Sequence, residues 1–438
     1  MRYFKYTLLL FCLCSKAFAQ NADTVYTLQQ CIDIAIKNNL DVRKSNLQLE
    51  ADRIYWQQAR ENLLPGFSAD VSHSVSTGRS QDPTTYTYVN QSITTGQYAL
   101  NAGVTLFNGM SLQNRIKQQS LAYQAGQMDY QQAKENITLS VITTYLSVLD
   151  NEDQFTQVKT QLDVSVKQLD RAEILNKDGN IAPQTLYDLR GQSANDKLSI
   201  INTRSAVYAA KLNLLQIMNV PFSKDVKLQR LTADQLPGAY TATSDQIYAK
   251  ALTDLSLVKA ADLRQKSAEK GVSATKGNLL PSLSLNGGLL TNYSSGQSTS
   301  YGDQFKNNYS TYGSLGLHIP ILNSFKSKNA VSLAKIDYLN AKYTAESTKI
   351  QLKQSIEQAY VNMTAAYERY QVLGDQVAAY SESFRIAEVR FNDGDLTSVD
   401  YLVAKSNMDR AKTGLINARY DYFIRTKILD YYQGKLAL

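Results

Sequence analysis

Three carboxylates stand close together near the C-terminal end of the chain: Asp393 and Asp395 on either side of Gly394, and Asp400 shortly after, with Arg390 just before them. Clustered carboxylates can attract cations, share protons or line a charged mouth. Catalysis would ask for more, either a nucleophile beside a base or a metal with convergent ligands. The chain has 2 histidines, His73 and His318, which fall on opposite parities of different alternating segments without ligand-spaced neighbours. It carries no phosphate-cradling glycine loop, nucleophile elbow or metal-spaced cysteine pair. An enzyme, a resident metal and an organic cofactor therefore have no positive support. The bland readings of the acids are structural: Asp393 and Asp395 form a turn around Gly394, and Asp400 favours a helix start through the helix dipole. Arg390 reads as a solvated flank of the segment before them.

That segment is the most regular in the chain. Ile356, Ala359, Met363, Ala366, Tyr370, Leu373, Val377, Tyr380, Phe384, Ala387 and Phe391 alternate at spacings of three and four, the seam of a coiled coil. Subtracting 215 from each number gives Val141, Thr144, Val148, Asn151, Phe155, Val158, Leu162, Ser165, Leu169, Ala172 and Asn176, mostly apolar or small and in the same register. The chain is an internal duplication at an offset of ~215, built on two long helices.

In the first repeat, Thr27 with Gln30 forms a capping box that opens a helix ending near Asn38-Asn39. A second helix runs from about Asp41 to Leu63, where Pro65-Gly66 stops it. The period then becomes two: Phe67, Ala69, Val71, His73 and Val75 share one face, and Ser68, Asp70, Ser72 and Ser74 the other. Residues 76–96 read as a long polar loop. The next strand sets Tyr98, Leu100, Ala102, Val104 and Leu106 against Ala99, Asn101, Gly103, Thr105 and Phe107. Asn108 is placed to cap a helix of ~68 residues, or ~100 Å at 1.5 Å per residue. Asp178-Gly179 breaks it, and a return helix runs from about Gln184 to Asn219.

The second repeat follows the same order. Asn278-Leu279-Leu280-Pro281 echoes Asn62-Leu63-Leu64-Pro65, and Asn323 echoes Asn108. A third strand places Leu283, Leu285 and Leu289 on one face and Ser282, Ser284 and Asn286 on the other. Residues 292–308 read as a polar loop. In the fourth strand Tyr309, Thr311, Leu315, Leu317, Ile319 and Ile321 oppose Ser310, Tyr312, Ser314, Gly316, His318 and Pro320.

The environment follows from these faces. The N-terminus has Arg2 and Lys5, an apolar run from Tyr6 to Cys14, and Ala17-Phe18-Ala19, the form of a cleavable secretory signal over residues 1–19. Neither Cys12 nor Cys14 has the small residues before it that a lipoprotein site wants. Without the signal the formal charge falls from +7 to +4, since Arg2, Lys5 and Lys16 leave and no acid does, too mild an excess for a nucleic-acid binder. Cys31 alone remains, so the mature chain has no internal disulfide. No later apolar run approaches the ~20 residues of a membrane helix, so any membrane crossing uses strands. Each strand is expected to be ~10 residues long, the length and alternation of a transmembrane β-strand, with Tyr98, Tyr293 and Tyr309 at the ends as an aromatic girdle in the lipid bilayer. Four strands cannot close a barrel. Two copies would fill theirs with side chains, whereas three give twelve strands with a lumen, and a conduit explains helices of this length.

These motifs together resemble the TolC-type outer-membrane efflux proteins over almost the whole mature chain. The resemblance rests on Thr27-Leu28, Asn38-Asn39-Leu40, the Leu-Leu-Pro entries at Pro65 and Pro281, Val104-Thr105-Leu106-Phe107-Asn108 with its echo Ile319-Pro320-Ile321-Leu322-Asn323, and the C-terminal runs Phe391-Asn392-Asp393-Gly394, Ser398-Val399-Asp400-Tyr401-Leu402 and Asn417-Ala418-Arg419-Tyr420-Asp421-Tyr422. It implies an α + β membrane protein, a homotrimer whose twelve-stranded barrel continues into a helical coiled-coil tunnel that narrows in the periplasm. It also implies a periplasmic adaptor (membrane fusion) protein and an inner-membrane transporter as partners. Asp400 matches the first aperture aspartate of the family, while the second falls on Val403. The latching tyrosine and arginine fall on Phe391 and Leu396, so a latch here would use other groups, Arg390 with Asp393 or Asp395. The expected divisions are a signal (1–19), a first repeat (20–219), a linker (220–243) and a second repeat (244–438). A secreted periplasmic coiled-coil scaffold or adaptor would share the heptads but has no use for four alternating strands.

Overall fold

In the computed structural model the described residues are 25–81, 85–231 and 238–435. The expected signal peptide and Pro237 of the linker lie outside them. A two-residue strand β1 (Val25–Tyr26) leads into α1 (Leu28–Asn38), α2 (Leu40–Glu61), β2 (Gly66–Gln81), β3 (Tyr88–Asn108), α3 (Ser111–Lys177), α4 (Pro183–Ile217) and a short β4 (Lys227–Leu228). The second repeat is α5 (Ser244–Asp254), α6 (Ser256–Gly277), β5 (Ser282–Ser294), α7 (Tyr301–Asn307), β6 (Ser310–His318), α8 (Lys326–Asn392) and α9 (Ser398–Tyr432).

The duplication is close to residue-perfect in the helices. Helices α1 and α5 have 11 residues each, α2 and α6 have 22, α3 and α8 have 67, and α4 and α9 have 35. Thr27 and Thr243 both complete capping boxes with a glutamine three residues on. Asn108 accepts from the backbone N–H of Leu112 (3.2 Å) and Asn323 from that of Ser327 (3.4 Å), so both asparagines restrain the first turn of a long helix. Every residue of both seams is buried or half-buried.

Contacts divide the chain across the repeats rather than between them. One compact unit gathers the chain up to Ser45, Tyr130–Leu255 and Ile350–Leu438, and the other gathers Asn46–Asp129 and Ser256–Lys349. In the first unit Cys31 and Ala35 of α1 pack with Val141, Leu146 and Leu149 of α3, Leu214 and Met218 of α4 and Phe423 of α9. The buried Tyr145 hydroxyl donates to the Gln229 carbonyl (2.6 Å) beside the parallel β1–β4 pair.

The second unit holds an antiparallel sheet in the order β2-β3-β5-β6. Register sorts its side chains onto two faces. Phe67, Ala102 and Gly287 are aligned, as are Ala69, Leu100 and Leu289, and Val104, Leu285 and Leu315, which makes an apolar face. Ser68, Asn101, Gly288 and Tyr312 form a row on the other, where Tyr312 donates to Asn101 (3.1 Å) and Asn101 to Asp70 (2.9 Å). Phe67, Val71 and Leu315 are 80%, 68% and 65% exposed in the single chain, an apolar patch of the kind that meets a membrane or another protein. Among the described residues β2 and β6 pair on one side only, so the sheet has two open edges.

Four expectations need correction. The strands are 16, 21, 13 and 9 residues long, not uniformly ~10. The loop read over 76–96 is mostly hairpin, paired out to Gln81 and Tyr88; alternation fades there because both faces are polar, while the ladder continues. A register shift between Thr105 and Phe107 aligns Phe107 with Leu283, so a bulge carries this ring to the apolar face. The loop at 292–308 contains α7, whose N-cap Ser300 accepts from the Asp303 N–H and donates to its carboxylate.

Candidate functional site

The acids singled out in the sequence lie in the first unit at the turn between α8 and α9, which is built like the turn between α3 and α4. Gly179 (φ +71°) and Gly394 (φ +84°) take the left-handed conformation that ends a helix. Asn180 N–H reaches the Leu175 carbonyl (2.8 Å), and Asp395 N–H the Arg390 carbonyl (2.9 Å), so both ends close with the same six-residue loop.

Asp393, Asp395 and Asp400 are exposed. Thr397 caps α9, accepting from the Asp400 N–H (3.1 Å) and donating to the Asp400 carboxylate (2.8 Å), which fixes that side chain at the helix start. Arg390 reaches Asp395 through its backbone carbonyl (3.3 Å) rather than its carboxylate. Phe391 and Leu396 turn inward. The Phe391 ring stacks on Tyr401 (4.5 Å between centroids), Phe384 lies 5.7 Å from the same ring, and Leu396 joins their cluster with Ala172, Leu186 and Met408.

The two turns are also tied to each other. Arg171 of α3 donates to the Asn392 carbonyl (2.8 Å), and Ser398 of α9 to Asp188 of α4 (2.8 Å). Between them lies a cleft of about 870 Å³ lined by Gln168, Arg171, Leu175, Ile181, Phe391 and Leu396 among others. Below the aromatic stack is a charged group that sequence reasoning missed. Lys405, 1% exposed, donates to Asp196 (3.2 Å) and Asp409 (2.7 Å), while Asp196 also accepts from Ser165 and from Gln192 (2.8 Å). Burial raises the Asp409 pKa, with Lys405 opposing the shift. Lysine and aspartate inside a heptad pattern look like ordinary solvated positions. The available signal was position: Lys405 lies four residues after Tyr401, on the face that packs inward.

Among the described residues no group of three or more histidine, cysteine or acidic side chains could hold a metal, and no helix is long and apolar enough to cross a membrane.

Comparison with known proteins matches the chain to the family model described as outer membrane efflux protein over residues 31–220 and again over 247–432. Outer membrane protein TolC of Salmonella enteritidis is 23% identical over 415 residues, covering 93% of this chain and 82% of that protein. The probable efflux pump outer membrane protein TtgC of Pseudomonas putida is 25% identical over 405 residues, covering 90% and 79%. Among solved structures, the outer membrane protein VceC of Vibrio cholerae superposes with a TM-score of 0.79 at 15% identity, covering 93% of this chain and 96% of that one.

Proposed function

Because the chain belongs to the outer membrane efflux protein family, and is thus an outer-membrane efflux channel with the barrel-and-helical-tunnel fold of that family, we propose that it is the passive exit duct of a tripartite efflux or type I secretion system. The energy comes from an inner-membrane transporter, and a periplasmic adaptor joins the two. The observation that carries this reading is the two-faced sheet with open edges at β2 and β6. In lipid an open edge leaves backbone groups unpaired, so other copies of the chain must cover it, and three copies supply twelve strands around a water-filled lumen. The repeats 20–219 and 244–438, joined by 220–243, each contribute two strands and one long helical hairpin.

The turn carrying Asp400 is the aperture of this duct. Three copies place three Asp400 carboxylates around one mouth, a ring that favours cations. Phe391 and Leu396, held against Tyr401, close the turn by packing rather than by a salt bridge, and Arg390, Asp393 and Asp395 form its polar rim. Conductance in planar bilayers tests the reading. The trimer is expected to give a large, weakly selective conductance, and Asp400→Ala to lower its preference for cations. Unchanged selectivity in that variant removes Asp400 from the mouth, and recovery of the protein from cells without detergent ends the channel reading.

A further inference from the structure

The segment joining β5 to β6 crosses the apolar face of the sheet instead of looping clear of it. Thr291, 1% exposed, lies in register with Val71 and Tyr98 on that face and donates to the Phe305 carbonyl of α7 (2.9 Å). The Tyr301 and Phe305 rings meet Tyr98 edge-on at 6.4 and 5.5 Å, Tyr293 lies 4.9 Å from Tyr301, and the Tyr301 hydroxyl donates to that of Tyr98 (2.5 Å). His73 Nε2 is hydrogen-bonded to the same Tyr98 hydroxyl. Helix α7 is held firmly. Gln304, 1% exposed, accepts from the Ser294 N–H (2.9 Å) and donates to the Ser294 and Thr299 carbonyls (3.0 and 2.9 Å). Despite this docking, Tyr301 and Phe305 remain 48% and 44% exposed.

Height along the sheet says what meets them. From Leu283 to Tyr293 the strand rises roughly 33 Å at ~3.3 Å per residue, or about 25 Å across a bilayer at a tilt near 40°, which is the height of the apolar band of an outer-membrane barrel. The aromatic cluster therefore stands at the top of the band, on the end of the sheet away from Pro65, just before β2 begins, and Asn108, where β3 ends. Beyond it β2 and β3 continue as a hairpin rich in serine and threonine. Tyrosine and phenylalanine at that level suit the boundary between headgroups and acyl chains, where one side of the ring is greasy and the other wet.

We propose that α7 is an interfacial seat on the outer rim of the barrel, with Tyr301 and Phe305 lodged at the headgroup–acyl boundary of the outer leaflet. The proposal rests on the outer-membrane reading, and the test separates the two. Trp56 is the single tryptophan of the chain and stacks on Tyr123, so Trp56→Phe gives a background that keeps a ring there. Tyr301→Trp, Phe305→Trp, Leu289→Trp and Tyr312→Trp are made in that background, and each trimer is reconstituted in phosphatidylcholine vesicles brominated either near the headgroup or near the chain ends. Tryptophan at 301 and 305 is expected to be quenched roughly twofold more by the shallow bromines than by the deep ones, as an interfacial ring should be. At 289 the order reverses, and at 312, on the luminal face, neither lipid quenches. If Leu289→Trp is quenched while the α7 variants are not, α7 stands in water and the proposal fails. It fails equally if the α7 variants follow the depth profile of Leu289→Trp. If Leu289→Trp itself is unquenched, the membrane reading of the sheet falls and takes the proposal with it.

Discussion

Lys405 is the most constrained charge near the turn between α8 and α9. It meets two carboxylates in a site from which water is almost excluded. Removing the ammonium would leave both acids uncompensated, and Lys405→Ala is expected to cost ~3–5 kcal/mol in urea unfolding. The two acids should behave differently. Asp196 has further donors in Ser165 and Gln192, whereas one Asp409 oxygen has no hydrogen-bond partner, so Asp409→Asn is expected to change stability by less than about 1 kcal/mol. The raised Asp409 pKa sets the sign of the pH dependence. Between the ordinary carboxylate range and that raised value the folded chain binds more protons than the unfolded one, so this group makes stability rise as pH falls through the window. Unfolding midpoints across mildly acidic pH should show this trend in the wild-type protein and lose it in Asp409→Asn.

At the scale of elements, the connections are more demanding than the helices they join. Gly109 has φ +64°, and a Cβ there would fall 2.3 Å from the Gly277 carbonyl oxygen; Gly394 has φ +84°, with nothing within 4 Å of its Cβ position. Gly394→Ala therefore bears only the left-handed penalty of ~1–2 kcal/mol. Gly109→Ala adds a backbone collision and is expected to destabilise by clearly more, which paired thermal or urea unfolding of the two variants would read directly. Both repeats carry a bulky residue at positive φ at this corner, Met110 in the first and Phe325 in the second, but the second also places Ser324 at positive φ where the first has Gly109. The seams, the Thr27 and Asn108 caps and the breaks at Gly179 and Gly394 were legible in the sequence because period and capping chemistry are local. Helix α7 was signalled by Ser300 and Asp303, but a seven-residue helix has no period to find. The outer hairpin lost its alternation where both faces turned polar. The bulge that reorients Phe107 depends on its partner strand, which no local pattern records. At the candidate site the turn was legible from Asp393-Gly394, yet the inward packing of Phe391 and Leu396 and the burial of Lys405 depend on α4, more than 180 residues earlier.

For the whole molecule the deciding question is which solvent each face of the sheet meets. Leu285 and Leu289 are 46% and 38% exposed in a single chain, and Asn286 lies between them on the opposite face. A sheet that stays in water would present both faces alike. In a barrel closed by three copies, Asn286 looks into an aqueous lumen while Leu285 and Leu289 meet acyl chains, and the period-two pattern becomes a period-two pattern of solvent access. The chain suits a thiol-labelling test, because Cys31 is the only cysteine beyond the expected signal and is fully buried in α1, where desolvation pushes its thiol pKa up to about 12. Background labelling is therefore low. In outer membranes a membrane-impermeant maleimide is expected to modify Asn286→Cys and to spare Leu285→Cys and Leu289→Cys. All three should react once the trimer is dissociated and unfolded in detergent and urea. Labelling of the leucine positions in the intact membrane would place that face in water and overturn the barrel. Protection of Asn286→Cys together with both leucine positions would instead mean that the lumen is filled at this level, as expected of eight strands from two copies rather than twelve from three.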